Sequence, residues 1–188
     1  MLLRYIPNFL TIIRIIIVPF FIYFFTSDYY SYRLISLILF FVGSLSDFLD
    51  GYIARKYNLV TTLGKIIDPL ADKILILSAF FLLNNSYPSY VPLWMLYLIL
   101  FRDIFVTLYR IYLKNKDVVM QANMLAKRKT LFQIVIIHFL LILHVFYFNE
   151  LQSHLFFYVN AIYFAMVVCT GITLYSGLNY FISYMHDE

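Results

Sequence analysis

The chain has 188 residues, 63% of them hydrophobic and only 13% charged, with a mean hydropathy of +0.84. Soluble domains run about 45–50% apolar and about 25% charged, so an ordinary soluble enzyme is excluded and an all-α integral membrane protein remains. The net charge of +4 is modest and gives no sign of a nucleic-acid partner.

In chain order, the first apolar run follows "MLLRYIPNFLTIIRIIIVPFFIYFF". It lacks a small-residue cleavage site and is long, so it reads as an uncleaved first span. A membrane helix rises 1.5 Å per residue and needs about twenty apolar residues. Spans are therefore predicted at 9–26, 33–55, 66–84, 91–113, 129–148 and 155–182, six transmembrane helices in all. The breaks carry polar punctuation at Thr26-Ser27-Asp28, Asn84-Asn85-Ser86-Tyr87-Pro88 and Phe148-Asn149-Glu150. Segments 56–65 and 114–128 are the charged links. No linker or repeat divides the chain, so residues 1–188 are expected to form a single domain. The lone Cys169 rules out an intrachain disulfide and reads as a small buried residue. Tyr29, Tyr30, Tyr87, Tyr90 and Trp94 are expected in interfacial belts.

Six spans put both termini on one side. That side then holds Arg4, Arg55, Lys56, Lys65, Arg110, Lys114, Lys116, Lys127, Arg128 and Lys129, with Arg14, Lys73 and Arg102 inside spans near it. Only Arg33 falls on the other side. Such asymmetry places both termini, and the basic links, in the cytoplasm.

Four acids stand out against this apolar background: Asp47 and Asp50 at the end of span two, Asp68 and Asp72 at the start of span three. Spacings of three and four put each pair on one helix face. A short link makes the two helices antiparallel neighbours, so the pairs can face one another across a groove. An acid at the bilayer centre costs about 2.5–3.5 kcal/mol, and less near the interface. Four together repel one another unless cations or protons intervene. Divalent metals favour such oxygen donors, and two of them can clamp a diphosphate. Neutralisation of helix-end acids by Arg55, Lys65 and Lys73 is the plainer reading of any single Asp. Gly51 and Ala54 leave a smooth patch, and Gly64 precedes a helix start where free N–H groups can meet an anion. Each small residue alone is equally explained by helix packing.

Residues 47–72 read D-x2-D-G-x2-A-R-x8-G-x3-D-x3-D, which resembles the signature of the CDP-alcohol phosphatidyltransferase family with all its fixed positions filled. The blocks "IPNFLTIIRIIIVPF", "IIDPLADKILI", "KRKTLFQ" and "SGLNYF" are similar to those of its bacterial phosphatidylglycerophosphate synthases. The resemblance implies that Asp47, Asp50 and Asp68, with Asp72, form a site for two Mg²⁺ or Mn²⁺ ions, and that Asp72 is the general base. It assigns Gly51, Ala54, Arg55 and Gly64 to the CDP moiety. The implied reaction joins CDP-diacylglycerol and glycerol 3-phosphate, releasing CMP, in a homodimer of the bacterial cytoplasmic membrane with its site facing the cytoplasm among membrane lipids.

A phosphorylated acceptor needs further cations. Arg102 and Arg110 are eight apart on span four, and Lys127 and Lys129 open span five. Arg offers phosphate a fork and Lys a point charge. Asp103 is a natural partner for Arg102. Lys114, Lys116 and Arg128 are accounted for by topology or by contact with anionic headgroups. The synthases commonly have Arg-Glu where this chain has Arg102-Asp103, and Gly-Lys-x-Lys-Thr where it has Ala126-Lys127-Arg128-Lys129-Thr130. The Arg-Asp pair also resembles cardiolipin synthases of the same family. A divalent-cation carrier is the non-enzymatic alternative, and it predicts acids near the midplane on discontinuous helices. The histidines offer no metal-ligand spacing.

Overall fold

The computed structural model describes residues 6–56, 64–115, 124–148 and 156–185. Side chains are described for 9, 11–46, 71, 73–109, 112–113, 129–148, 160–179 and 181–182. These residues form six long α-helices: α1 (Ile6–Phe25), α2 (Tyr30–Lys56), α3 (Gly64–Ser86), α4 (Leu93–Asn115), α5 (Met124–Phe146) and α6 (Phe156–Met185). No strand occurs among them. Each predicted span corresponds to one helix. The largest displacement is at α5, which starts at Met124 rather than at 129. Backbone hydrogen bonding continues through the cations at 127–129, although hydropathy does not.

Among the described residues two stretches, Lys129–Phe146 and Asn160–Asn179, are long and apolar enough to cross a membrane. Shorter apolar stretches run Thr11–Phe25, Tyr30–Ser46 and Lys73–Ser86. Large apolar side chains such as Phe101 and Phe164 are more than two-thirds exposed, while Thr11, Arg14, Gln133, Thr173 and Ser176 are buried. That inverts the soluble pattern and suits a lipid surround. Several hydroxyls within the helices are satisfied by their own backbone. Ser36 donates to Arg33 O at 2.7 Å, Ser46 to Gly43 O at 2.7 Å and Thr170 to Met166 O at 2.9 Å.

The chain divides into two compact units, Met1–Leu82 with Ile137–Asn149, and Leu83–Ile136 with Glu150–Glu188. In the first, α1 packs on α2 around Phe21, Phe25 and Phe40, with Phe21–Phe40 centroids 5.6 Å apart. His144 of α5 stacks on Phe25 at 4.2 Å, and its Nε2 lies 3.3 Å from Phe25 O. His138 meets Phe40 edge-on. The histidines described are thus packing residues. Arg33 is buried with its guanidinium 3.9 Å over the Phe148 ring, a cation–π contact.

In the second unit α4 packs on α6. Tyr87 and Tyr90, expected in an interfacial belt, are instead buried, at 5% and 2% exposure. They form an edge-on pair in the turn before α4, where Tyr90 N and Val91 N both donate to Tyr87 O at 3.0 Å. Asn84 Nδ2 closes that turn on Val91 O at 2.6 Å. Tyr29, Tyr30 and Trp94 are exposed as expected, and Cys169 is buried and free.

Candidate active site

All eight fixed positions of the aspartate motif lie on helix. α2 runs unbroken through Asp47, Asp50, Gly51, Ala54 and Arg55, and α3 begins at Gly64 and continues through Asp68 and Asp72. Residues 47, 50, 51 and 54 share one stripe of α2 by helical register, and 64, 68 and 72 share one stripe of α3. The side chains of these eight residues lie outside those described.

The register can be anchored one turn away. The stripe of Asp47 and Asp50 passes through Gly43, and that of Asp68 and Asp72 passes through Leu75. A Cβ at Gly43 would stand 2.8 Å from Leu75 Cδ2 and 3.8 Å from Ile17 Cγ2. Helices α1, α2 and α3 therefore converge at Gly43. Leu75 and Ala71 are buried on the α3 side. One turn before Ile17, Arg14 is fully buried, as is Thr11. Sequence reasoning counted Arg14 only as a topological cation. The segment "IPNFLTIIR" carries the signal, since an arginine amid isoleucines must be solvated by protein when the helix is packed.

Of the residues expected to meet an acceptor phosphate, the structure brings two together in the second unit. Arg102 Nη1 donates to Asp103 Oδ1 at 3.1 Å, and Lys129 Nζ donates to the same oxygen. The side chains of Arg102 and Lys129 are almost closed off, and Asp103 is the more open member at 17% exposure. Arg102 Nη2 donates to Ser176 Oγ at 2.7 Å, and Ser176 donates in turn to Thr173 O at 2.9 Å. Beside it, Gln133 Nε2 donates to Thr173 Oγ1 at 3.3 Å, and Thr173 donates to Cys169 O at 2.8 Å. Three helices, α4, α5 and α6, thus supply one buried polar network. Arg110 and Lys127 are on α4 and α5, with side chains outside those described. Sequence reasoning anticipated the Arg102–Asp103 contact and missed Ser176, Gly177 and Gln133, although "SGLNYF" and "KRKTLFQ" contain them.

The family model for CDP-alcohol phosphatidyltransferase matches residues 4–174. The chain belongs to the CDP-alcohol phosphatidyltransferase family. It is 38% identical over 148 residues to the CDP-diacylglycerol–glycerol-3-phosphate 3-phosphatidyltransferase of Bacillus subtilis, covering 72% of this chain and 76% of the relative. It is 38% identical over 141 residues to the protein of that name from Rickettsia typhi, covering 74% and 78%. A third, from Rickettsia bellii, is 42% identical over 128 residues, covering 68% and 69%. The matched region of this phosphatidyltransferase includes the whole aspartate motif, the Arg102–Asp103–Lys129 triad and Thr173.

Among the described residues, no group of three or more His, Cys, Asp or Glu side chains is placed to hold a metal. The four aspartates lie outside that set. Their donors fit a divalent ion in chemistry: hard carboxylate oxygens, carried in pairs on unbroken helices that approach closely at Gly43 and Leu75.

Proposed function

We propose that the chain transfers a phosphatidyl group from CDP-diacylglycerol to glycerol 3-phosphate, giving phosphatidylglycerol phosphate and CMP. The observation that carries this reading is similarity over about three-quarters of the chain to several relatives bearing that name. The acceptor hydroxyl attacks the lipid-side phosphorus; an O–P bond forms, the P–O bond to CMP breaks, and Asp72 takes the hydroxyl proton. Asp47, Asp50, Asp68 and Asp72 would hold two Mg²⁺ or Mn²⁺ ions, which supply neutralisation of the diphosphate charge. Gly51, Ala54, Arg55 and Gly64 receive the CDP moiety. Arg102, Arg110, Lys127 and Lys129 receive the acceptor's phosphate, so the catalytic work of the chain is positioning and electrostatics.

The uninterrupted course of α2 and α3 through all four aspartates speaks against a cation carrier, for which broken helices are expected. The apolar runs and the asymmetry of Lys and Arg support six spans with both termini in the cytoplasm, and the bacterial relatives support a bacterial cytoplasmic membrane with the site on its inner face. Two of the three divisions between the units fall inside helices, α3 and α5, which supports one domain over residues 1–188. A homodimer is part of the same reading.

The test is CMP release by the purified protein in detergent, with CDP-diacylglycerol and Mg²⁺ or Mn²⁺. Glycerol 3-phosphate, phosphatidylglycerol, serine and inositol phosphate are offered separately. Release with glycerol 3-phosphate alone is expected. Release with phosphatidylglycerol alone makes the chain a cardiolipin synthase-type enzyme, and no metal-dependent release with any acceptor overturns the enzyme reading.

A further inference from the structure

We infer that Asp103 is a positioning residue for the acceptor's phosphate. Its Oδ1 holds Arg102 and Lys129 side by side, and Ser176 and Gly177 of α6 fix the Arg102 side chain against it. The inference rests on the reading above, in which Arg102 and Lys129 meet that phosphate.

Two cations of adjacent helices converge on a single oxygen of Asp103. Left to themselves, buried like charges separate, so the shared carboxylate sets their spacing. Two cationic groups meeting at one oxygen are spaced for one phosphate, whose oxygens are similarly close. The other end of the guanidinium is fixed by polarity as well as distance. The Ser176 hydroxyl already donates to Thr173 O at 2.9 Å, so its oxygen is left as an acceptor for Arg102 Nη2 at 2.7 Å.

Gly177 supplies the room. A Cβ there would stand 2.8 Å from Arg102 Cγ and 3.1 Å from Nε. Cγ belongs to the stem of the side chain and not to its free end, so the fork cannot stay on Asp103 and Ser176 while the stem moves aside. Arg102 Nε is buried with no hydrogen-bond partner. An unmet buried N–H is unfavourable, so this arrangement is not the one that best serves the stability of Arg102 alone. It holds the side chain where Nη1 and Nη2 each keep a second hydrogen for a ligand. Asp103, the most exposed member of the triad at 17%, is the one through which the two cations are held together.

The experiment is steady-state CMP release with glycerol 3-phosphate varied at saturating CDP-diacylglycerol, and the reverse. Asp103→Asn and Gly177→Ala are each expected to raise the KM for glycerol 3-phosphate about ten-fold or more, with the KM for CDP-diacylglycerol within about two-fold of wild type. Asp103→Glu keeps the carboxylate and is expected to return the acceptor KM to within about three-fold. Ser176→Ala removes one hydrogen bond and is expected to raise it about three-fold; it is the deciding variant if the others give no folded protein. An unchanged acceptor KM in folded Asp103→Asn or Ser176→Ala overturns the inference. So does an equal rise in both KM values that Asp103→Glu fails to correct, which marks a structural role. Wild-type protein that ignores glycerol 3-phosphate refutes instead the reaction on which the inference rests.

Discussion

Gly43 and Leu75 meet closely enough that a Cβ at position 43 would stand 2.8 Å from Leu75 Cδ2. Gly43 lies one turn before Asp47 on α2, and Leu75 one turn after Asp72 on α3. The two helices that carry the aspartate pairs thus touch where the absence of a side chain lets them. Gly43→Ala is expected to be tolerated, because the atom it meets is a leucine methyl that can change rotamer. Gly43→Leu overfills the contact at about 1–3 kcal/mol and is expected to lower turnover at least about ten-fold by separating α2 from α3. Thermal unfolding and CMP release on both variants check this; wild-type activity in Gly43→Leu would show that this contact does not set the spacing of the aspartates.

For Asp72→Asn the expected outcome is loss of turnover by about a thousand-fold or more, because a proton acceptor is lost from the attacking step. Binding of the CDP-lipid should persist, since three carboxylates remain. Titration with a CDP-diacylglycerol analogue, alongside CMP release, separates the two. Near-normal activity rules out the base assignment.

Chelation gives an independent reading of the same four residues. EDTA is expected to abolish CMP release, and excess Mg²⁺ or Mn²⁺ to restore it. Asp47→Asn, Asp50→Asn and Asp68→Asn should each raise the metal concentration needed for half-maximal rate, because each removes one anionic oxygen donor. Full activity in EDTA would refute a metal site at these aspartates.

All six helices were legible because apolar length is a local property, and their ends were less so. Hydropathy stops at Lys129, whereas α5 reaches back to Met124, since helical hydrogen bonds are indifferent to charge on the side chains. The belt expectation failed at Tyr87 and Tyr90 for a related reason: a tyrosine in a link can turn inward when the turn itself is buried. In the candidate site, the Arg102–Asp103 contact was readable from adjacency. The sharing of Asp103 with Lys129 and the seat on Ser176 and Gly177 were not, because no periodicity relates residues on separate helices. The four aspartates and their spacing were readable in the sequence, and α2 and α3 run through all four positions.

The stack of His144 on Phe25 makes a prediction about stability that is separate from catalysis. His144→Ala removes a ring buried between α1 and α5 and is expected to cost about 3 kcal/mol or more through the cavity left behind. His144→Phe keeps the stack and loses the contact with Phe25 O, about 0.5–1.5 kcal/mol. Unfolding in detergent should rank wild type above His144→Phe and His144→Ala last. The reverse order of the two variants would mean that the hydrogen bond, and not the ring, holds these helices together.

Arg102 separates charge from geometry. Arg102→Ala removes both, takes the guanidinium from Asp103, and is expected to raise the KM for glycerol 3-phosphate about a hundred-fold. Arg102→Lys keeps the charge, but a single ammonium lacks the two-armed fork that spans Asp103 and Ser176. It should recover little of the loss, with an acceptor KM still about ten-fold above wild type or more. If Arg102→Lys instead matches wild type, the site asks only for positive charge, and the seat formed by Ser176 and Gly177 serves packing rather than recognition. If Arg102→Ala leaves the acceptor KM unchanged, Arg102 does not meet the phosphate, and that role passes to Arg110, Lys127 and Lys129.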